Sequence, residues 1–145
     1  MQPHFRTVGD IRITNALWIG EETMAYAAAI KLLDSCLSGL PVLNRARQVV
    51  GKITEIDLLR ALKAGKDLRA TPAGSIMAPM PAIVSMETPL ELAVEIMDTH
   101  GLIRLPVVKG GRFVGSVTRH DLLRAWLGVW VERDFQRGGY AEVMG

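Results

Sequence analysis

Two threonine–aspartate pairs are the residues of this chain best suited to bind a ligand. Thr54 precedes Asp57 by three positions, and Thr118 precedes Asp121 by the same spacing. An aspartate carboxylate can accept hydrogen bonds from two neighbouring hydroxyl groups of a ribose, and the free N–H groups at a helix N-terminus favour an anion such as a phosphate. The same spacing is also that of a capping box, in which both residues only close the first turn of a helix. The pattern leaves both interpretations open.

The residues around the two pairs differ in charge. Glu55 follows the first threonine and would repel a phosphate, whereas Arg119 and His120 follow the second and would supply cationic donors. Arg104 adds a further cation in the second half of the chain, where the first half has a glycine. We therefore predict that the better phosphate site lies on the Asp121 side.

Both pairs belong to an internal repeat that determines the expected fold. Residues 57–61, DLLRA, recur unchanged as residues 121–125, and residues 40–42, LPV, recur as residues 105–107. Two repeats are too few for a solenoid. The chain is therefore expected to fold as two similar halves that pack together about a pseudo-twofold axis.

Each half predicts the order strand, helix, strand, strand, helix, which makes the fold class α+β. In the second half Thr88 is expected to cap a helix that ends at Gly101, and residues 109–112 contain a two-glycine hairpin signal. In the first half the corresponding helix is expected to begin after Thr23, and Cys36 replaces the glycine. We expect Cys36 to be a small buried residue.

The remaining elements and the domain boundaries follow from the same alignment of halves. Leading strands are expected at residues 82–85 and 16–20. The predicted division is a first repeat with its N-terminal segment at residues 1–63, a Gly- and Pro-containing linker at 64–74, a second repeat at 75–127, and a C-terminal helical extension and tail at 128–145.

The last helix is predicted to continue beyond the repeat to about Gln136. Trp126, Val129 and Trp130 form one stripe at helical spacing, which either packs on the chain's own core or forms a dimer contact. In each half a glycine, Gly51 or Gly115, lies three residues before the threonine and inside the predicted return strand. It indicates a β-bulge or a close approach of another group to the strand, and that group is a ligand if the threonine–aspartate pairs form a binding site.

Composition excludes several classes of protein. With 145 residues, of which 49% are apolar and 22% charged, the chain is long and apolar enough to bury a core as one unit. Its 17 basic and 15 acidic residues give a net charge of +2, too weak a balance to indicate a nucleic-acid partner. The longest uncharged run, residues 70–86, contains prolines and is too short to span a membrane.

The sequence also lacks the signals of secretion, metal binding and catalysis. No apolar segment follows the N-terminus, so a cytoplasmic location is the expectation. One cysteine builds neither an internal disulfide nor a thiolate metal site, and His4, His100 and His120 lack metal-ligand spacing. No nucleophile or phosphate-loop motif is present, so we expect no enzyme, no metal and no resident cofactor.

The two halves resemble the CBS domain, named after cystathionine β-synthase. The likeness rests on residues 38–42, SGLPV, with 50–59, VGKITEIDLL, and on residues 103–107, IRLPV, with 114–123, VGSVTRHDLL. It extends over about residues 8–127, nearly the whole chain, and together the two halves resemble a CBS pair or Bateman module.

The resemblance implies a regulatory, non-catalytic module. In that family, clefts between the halves bind an adenosine-containing ligand such as AMP, ADP, ATP or S-adenosylmethionine. By resemblance, Asp57 and Asp121 would contact ribose hydroxyls, with Thr54 and Thr118 near the phosphates. Ile83, Val84 and Pro106 would line the space next to the base.

The resemblance also implies a homodimer that acts on an unidentified regulated protein. Lys52 and Arg12 stand where the family usually has apolar residues, which again favours the Asp121 side. The alternative is an oligomerisation or scaffold module without a physiological nucleotide, in which the threonine–aspartate pairs serve only as helix caps.

Overall fold

The computed structural model describes residues 1–129, and these form two repeats with the same order of elements. The first repeat contains β1 (Ile19–Gly20), α1 (Ala25–Ser35), β2 (Gly39–Leu43), β3 (Val49–Thr54) and α2 (Glu55–Lys63). The second contains β4 (Val84–Ser85), α3 (Leu90–His100), β5 (Arg104–Lys109), β6 (Arg112–Thr118) and α4 (Arg119–Leu127). The predicted α+β class and the duplicated order are confirmed.

Each repeat builds one three-stranded sheet, and the two sheets have the same topology. The leading strand pairs in parallel with the second, which pairs antiparallel with the third. Apolar residues of the strands and helices form one buried cluster per repeat, centred on residues such as Val42 and Ile53 in the first and Val107 and Val117 in the second. Burial of these side chains is the main stabilising contribution to each half.

The two repeats exchange the segments that precede their leading strands. The chain before β1 packs on the second repeat, where Val8 joins the core and its N–H donates to the carbonyl of Thr88 at 2.9 Å. The linker packs on the first repeat, where Ala73 joins the core and its N–H donates to the carbonyl of Thr23 at 2.8 Å. The packed units therefore cross the predicted sequence boundaries, and the exchange ties the halves together.

Gly51 and Gly115 are sites of close approach, but the approaching group is this chain and not a ligand. A Cβ at Gly51 would lie 2.7 Å from the carbonyl oxygen of Ala78 in the segment that precedes β4. A Cβ at Gly115 would lie 2.9 Å from the carbonyl oxygen of Asn15 and would overlap Ile13. The expectation that these glycines admit a ligand is therefore wrong, because the exchanged segments already cover them.

The helix starts of α1 and α3 differ from the prediction. Met24 and Pro89, not the threonines before them, occupy the capping positions, without a side-chain cap hydrogen bond. Thr88 Oγ1 instead accepts a hydrogen bond from the N–H of Ser85 at 2.9 Å, so the hydroxyl closes the turn between β4 and α3. The leading strands contain only two residues each, because only these pair with β2 and β5.

The helix ends also correct two predictions. Cys36 ends α1 with a left-handed φ of 57° and is exposed, not buried, because it takes the position of a C-terminal glycine. Gly128, with φ of 72°, ends α4 after Leu127, so the predicted continuous helix stops before Trp130. The rest of that prediction, up to Gln136, lies outside the described residues.

Trp126 lies in the last turn of α4 and is half-buried. It packs against the core of the second repeat, and its Nε1 donates to the carbonyl of Met1 at 3.2 Å. For this tryptophan, packing on the chain's own core is confirmed. Among residues 1–129, no helix has the length and apolar character needed to cross a membrane.

Candidate functional site

Both threonine–aspartate pairs form complete capping boxes. The N–H groups of Thr54 and Thr118 each donate to Oδ2 of the following aspartate at 2.8 Å. In return, the N–H groups of Asp57 and Asp121 donate to the threonine hydroxyls at 3.4 and 3.1 Å. The structural interpretation of the motif is therefore confirmed. It uses one oxygen of each carboxylate and leaves Oδ1 for another role.

The two Oδ1 atoms have different surroundings. Asp121 Oδ1 accepts a hydrogen bond from Nη1 of Arg124 at 3.1 Å, in an ion pair whose side chains are 21% and 39% exposed. Arg60 is the equivalent of Arg124 in the first repeat, but within residues 1–129 it forms no ion pair with Asp57. Asp57 Oδ1 therefore remains available, whereas Asp121 Oδ1 is occupied by a neighbouring cation.

Two adjoining cavities lie beside the sheets. The first, which we call the inter-repeat cleft, encloses about 400 Å³ and is lined by residues of both repeats, including Pro41 and the equivalent Pro106. The second, the Asp57 pocket, encloses about 460 Å³ and is lined by Asp57, Arg60 and the first turn of α2. The cavities share the residues Ser38, Lys52 and Thr54. A ligand in the Asp57 pocket can thus extend into the cleft between the repeats.

Asp121 lines neither of these two cavities, and the cations expected beside it do not line them either. Arg119 Nε donates to the carbonyl of Leu102 at 2.6 Å, and the side chain lines a groove between α3 and α4. His120 is exposed. The side chain of Arg119 therefore binds the chain at Leu102 and forms no ion pair with the carboxylate of Asp121 among the described residues.

The residues expected to contact a base have three different positions. Pro106 lines the inter-repeat cleft, as the resemblance implies. Val84 is only 3% exposed, pairs with Val107 and belongs to the core, so it cannot form a wall of a ligand site. Ile83 is 41% exposed but lines neither the inter-repeat cleft nor the Asp57 pocket.

Arg104 is one of two cations that line the inter-repeat cleft. Its side chain is half-buried, and among the described residues its buried Nε has no hydrogen-bond partner. Burial lowers the pKa of Arg104 below its ordinary value, and the negative charge of Asp121 acts in the opposite direction. Arg104 thus lines the inter-repeat cleft, and its role in holding an anion stays a prediction.

Lys52 is the second cation of the cleft and was not predicted as a site residue. It lines both cavities, next to Thr54. The alternation of β3 contained the signal, because Gly51 and Ile53 are buried on one face and Lys52 and Thr54 lie on the other. A residue two positions before the threonine motif on a strand shares its face.

Within residues 1–129, no group of three or more His, Cys, Asp or Glu side chains lies close enough together to hold a metal ion. Among the described residues, the candidate site combines the open carboxylate of Asp57 and the N-terminus of α2 with a second acid and three cations beside apolar walls, namely Glu55, Lys52, Arg60 and Arg104. Such a set can hold a polar, anionic ligand through hydrogen bonds.

Comparison with known proteins agrees with the architecture. The family model described as CBS domain matches residues 8–64 and again residues 73–128. Hypoxic response protein 1 from Mycobacterium tuberculosis is 27% identical over 119 residues, which cover 81% of this chain and 83% of that protein. Its crystal structure, with two coordinated zinc ions, has a TM-score of 0.70 at 26% identity and covers 81% of this chain and 97% of that one.

A second similar structure contains a ligand. CBSX2 in complex with AMP has a TM-score of 0.70 at 29% identity and covers 86% of this chain and 98% of that chain. CBSX2 from Arabidopsis thaliana gives a TM-score of 0.71 at 28% identity, with coverage of 88% and 96%. Two family matches in tandem, two equivalent sheets and these neighbours lead to one conclusion: the chain belongs to the CBS domain family and is a tandem pair of CBS domains.

Proposed function

We propose that this chain is a regulatory, non-catalytic module that binds an adenine nucleotide at the Asp57 pocket. The observation that carries the proposal is the free Oδ1 of Asp57, which lies at the N-terminus of α2 in a pocket that joins the inter-repeat cleft. The similar protein CBSX2 binds AMP in its crystal structure, which supports this ligand class.

Asp57 is the proposed contact for the ribose. Its Oδ2 is held by the N–H and the hydroxyl of Thr54, both at 2.8 Å, so the carboxylate is fixed before a ligand arrives. Oδ1 can then accept hydrogen bonds from the ribose hydroxyls without loss of the helix cap. A preorganised acceptor binds at a lower entropic cost than a mobile one.

Apolar residues around the cleft are the proposed contacts for the base. Leu37, Met80 and Pro81 line the cleft together with the two equivalent prolines Pro41 and Pro106. A ligand there would contact both repeats. Its binding energy would then favour the arrangement of the repeats that it fits best, which is how a binding module biases a regulated protein.

The Asp121 side is the proposed weaker site. A ligand there must displace Arg124 from Asp121 Oδ1, whereas a ligand at Asp57 has no cation to displace from Oδ1. This ranking is the reverse of the one that the charged neighbours Arg119 and His120 suggest in the sequence.

The proposed assembly is a homodimer formed through the helices. Several apolar side chains on helix surfaces are exposed, among them Leu33 at 73%, Leu59 at 58% and Leu123 at 58%. A second copy would remove such a surface from water. Sedimentation velocity should give a dimer mass, and a monomer at all concentrations would contradict the assembly.

Calorimetric titration with AMP tests the ligand and the site together. We expect Asp57→Asn to weaken AMP binding about tenfold or more, because it removes charge-assisted hydrogen bonds of roughly 1.5–3 kcal/mol. Asp121→Asn is the matched control, since it changes the equivalent capping aspartate, and it should change the affinity less than threefold. Equal losses in the two variants would contradict the assignment to Asp57.

The second candidate function is an oligomerisation module without a nucleotide ligand. It is favoured by the completeness of both capping boxes, which explains each threonine–aspartate pair without a ligand. A thermal-shift panel separates the two functions. Ligand at one hundred times its Kd stabilises a protein by about 2.7 kcal/mol, so no shift with AMP, ADP, ATP or S-adenosylmethionine would support the second candidate.

A further inference from the structure

The inter-repeat cleft has a one-sided charge. Among the residues of 1–129 that line it, Lys52 and Arg104 are the charged ones, and both are cations. The adjoining Asp57 pocket is lined by the acidic residues Glu55 and Asp57 together with Arg60 and the shared Lys52. Among the described residues, carboxylates therefore line the Asp57 pocket but not the cleft.

The two cations occupy positions that are not equivalent in the repeat. Lys52 of β3 corresponds to Ser116 of β6, and Arg104 of β5 corresponds to Gly39 of β2, and all four residues line the cleft. Each repeat thus contributes one cation at a position where the other repeat is neutral. Strict duplication of either half would not place one Lys and one Arg in a single cavity.

Neither cation forms an ion pair within residues 1–129, where the ion pairs are Arg45–Glu22 and Arg124–Asp121. The buried Nε of Arg104 has no hydrogen-bond partner in the described part of the chain. A buried donor without a partner costs free energy, so the described part of the chain does not fully satisfy this guanidinium. Asp121 interacts with Arg104 through its charge, but its Oδ1 is already bound by Arg124.

We propose that the inter-repeat cleft binds the phosphate chain of a nucleotide between Lys52 and Arg104, and that it selects nucleoside di- and triphosphates over AMP. The inference deepens the proposed function, since it rests on the ribose contact at Asp57. The base lies against the apolar residues of the cleft, and the phosphates extend past Thr54 to Lys52 and Arg104 in the same cleft. Each added phosphate brings negative charge toward two cations from different repeats. S-adenosylmethionine, which carries a positive sulfonium, is disfavoured by the same cations.

Calorimetric titrations of the full chain with adenosine, AMP, ADP, ATP and S-adenosylmethionine at one ionic strength test the selectivity. We expect ATP and ADP to bind about tenfold or more tightly than AMP, with S-adenosylmethionine the weakest of the charged ligands. Affinities that are equal for AMP and ATP, or tighter binding of S-adenosylmethionine, would overturn the proposal.

Two variants test the residues. Lys52→Ser introduces the residue of the equivalent position in the second repeat, and Arg104→Gln removes the charge but keeps a donor. Each should weaken ATP binding about ten- to a hundredfold, the loss expected for one charge-assisted hydrogen bond, and leave adenosine binding within threefold. The matched controls Lys63→Ser and Arg112→Gln remove exposed cations outside the cleft and should leave ATP binding unchanged. Arg104→Lys should restore part of the ATP affinity.

Tripolyphosphate separates this proposal from the function on which it rests. It has no ribose or base, so it should bind the wild-type chain and bind more weakly to Lys52→Ser and Arg104→Gln. Binding of tripolyphosphate without binding of adenosine or AMP would support the anion cleft while contradicting the nucleotide function. Binding of AMP without tripolyphosphate, at an affinity that neither variant changes, would overturn the phosphate proposal while the nucleotide function stands.

Discussion

The two repeats carry the same threonine–aspartate motif in the same capping geometry, yet only one of them leaves its carboxylate open. Asp57 lines a pocket that joins the inter-repeat cleft, whereas Asp121 is held by Arg124 at 3.1 Å and lines neither cavity. Identical motif residues therefore do not imply equivalent sites. The same arginine follows one turn further along each helix, and the difference is that Arg124 pairs with Asp121 whereas Arg60 forms no ion pair with Asp57 among residues 1–129.

The same comparison applies to the strands that precede the motifs. Gly51 and Gly115 each accept an exchanged segment of the chain, and both positions leave no room for a side chain. The two halves are thus equivalent in how they hold together and different in how they present their aspartates. Each prediction below tests one part of that contrast.

The largest expected effect is on the packing of the exchanged segments against Gly51 and Gly115. Gly115→Ala should destabilise the fold by roughly 1–3 kcal/mol, because its Cβ would overlap Ile13 and crowd the carbonyl of Asn15. Gly51→Ala should cost a similar amount through Ala78 and Met77. Urea denaturation measures both. Gly65→Ala is a different kind of control, since a Cβ at Gly65 has no neighbour within 4 Å. Any loss of stability in that variant would come from the positive backbone φ alone.

If either Gly51→Ala or Gly115→Ala left the unfolding free energy unchanged, the close packing of the exchanged segments would be wrong. A loss at one glycine only would show that one of the two segments is not held as described.

A change in binding stoichiometry is the next expected effect. Arg124→Gln removes the cation that occupies Asp121 Oδ1, so Asp121 should come to resemble Asp57. We expect AMP titration of this variant to show a second, weaker site beside the first. Its stability should change by less than about 1 kcal/mol, because the ion pair is partly exposed.

Arg60→Gln is the matched control, because Arg60 occupies the equivalent position and forms no ion pair with Asp57 among residues 1–129. It should add no site. An unchanged stoichiometry in Arg124→Gln would contradict the view that Arg124 is what closes the Asp121 side.

The smallest expected effect is on the helix caps of α2 and α4, whose contributions to stability should be similar in the two repeats. Thr54→Ala and Thr118→Ala each remove one capping hydroxyl and should lower the unfolding free energy by about 1 kcal/mol. Thr54→Ala should cost slightly more, because its hydroxyl also donates to Asp57 Oδ2 at 2.8 Å. Thr99→Ala, an exposed threonine within α3, serves as the control. A cost above about 2 kcal/mol at only one cap would show that the two boxes are not equivalent.

The sequence predicted the fold well because the repeat constrains it. Residues 57–61 and 121–125 are identical, and equal sequences in equivalent positions fold alike, so the duplicated order of elements followed from the alignment of the halves. The hairpin signal at residues 109–112 and the capping motifs of α2 and α4 were local signals that the structure confirms.

The site was harder to predict because it depends on contacts between distant segments. The exchange of segments places Asn15 and Ala78 against the glycines, and no local pattern reports such a crossing. Val84 looked like a wall residue, but a two-residue strand in parallel pairing buries it. Arg119 carries the right charge next to the motif, yet its direction on α4 sends it to the carbonyl of Leu102.

A crystal structure of the full chain with bound AMP tests the central claim most directly. The account predicts the ribose hydroxyls within hydrogen-bond distance of Asp57 Oδ1 and the phosphate directed toward the cleft between Lys52 and Arg104. A ribose bound at Asp121 with the Asp57 pocket unoccupied, at saturating AMP, would contradict it.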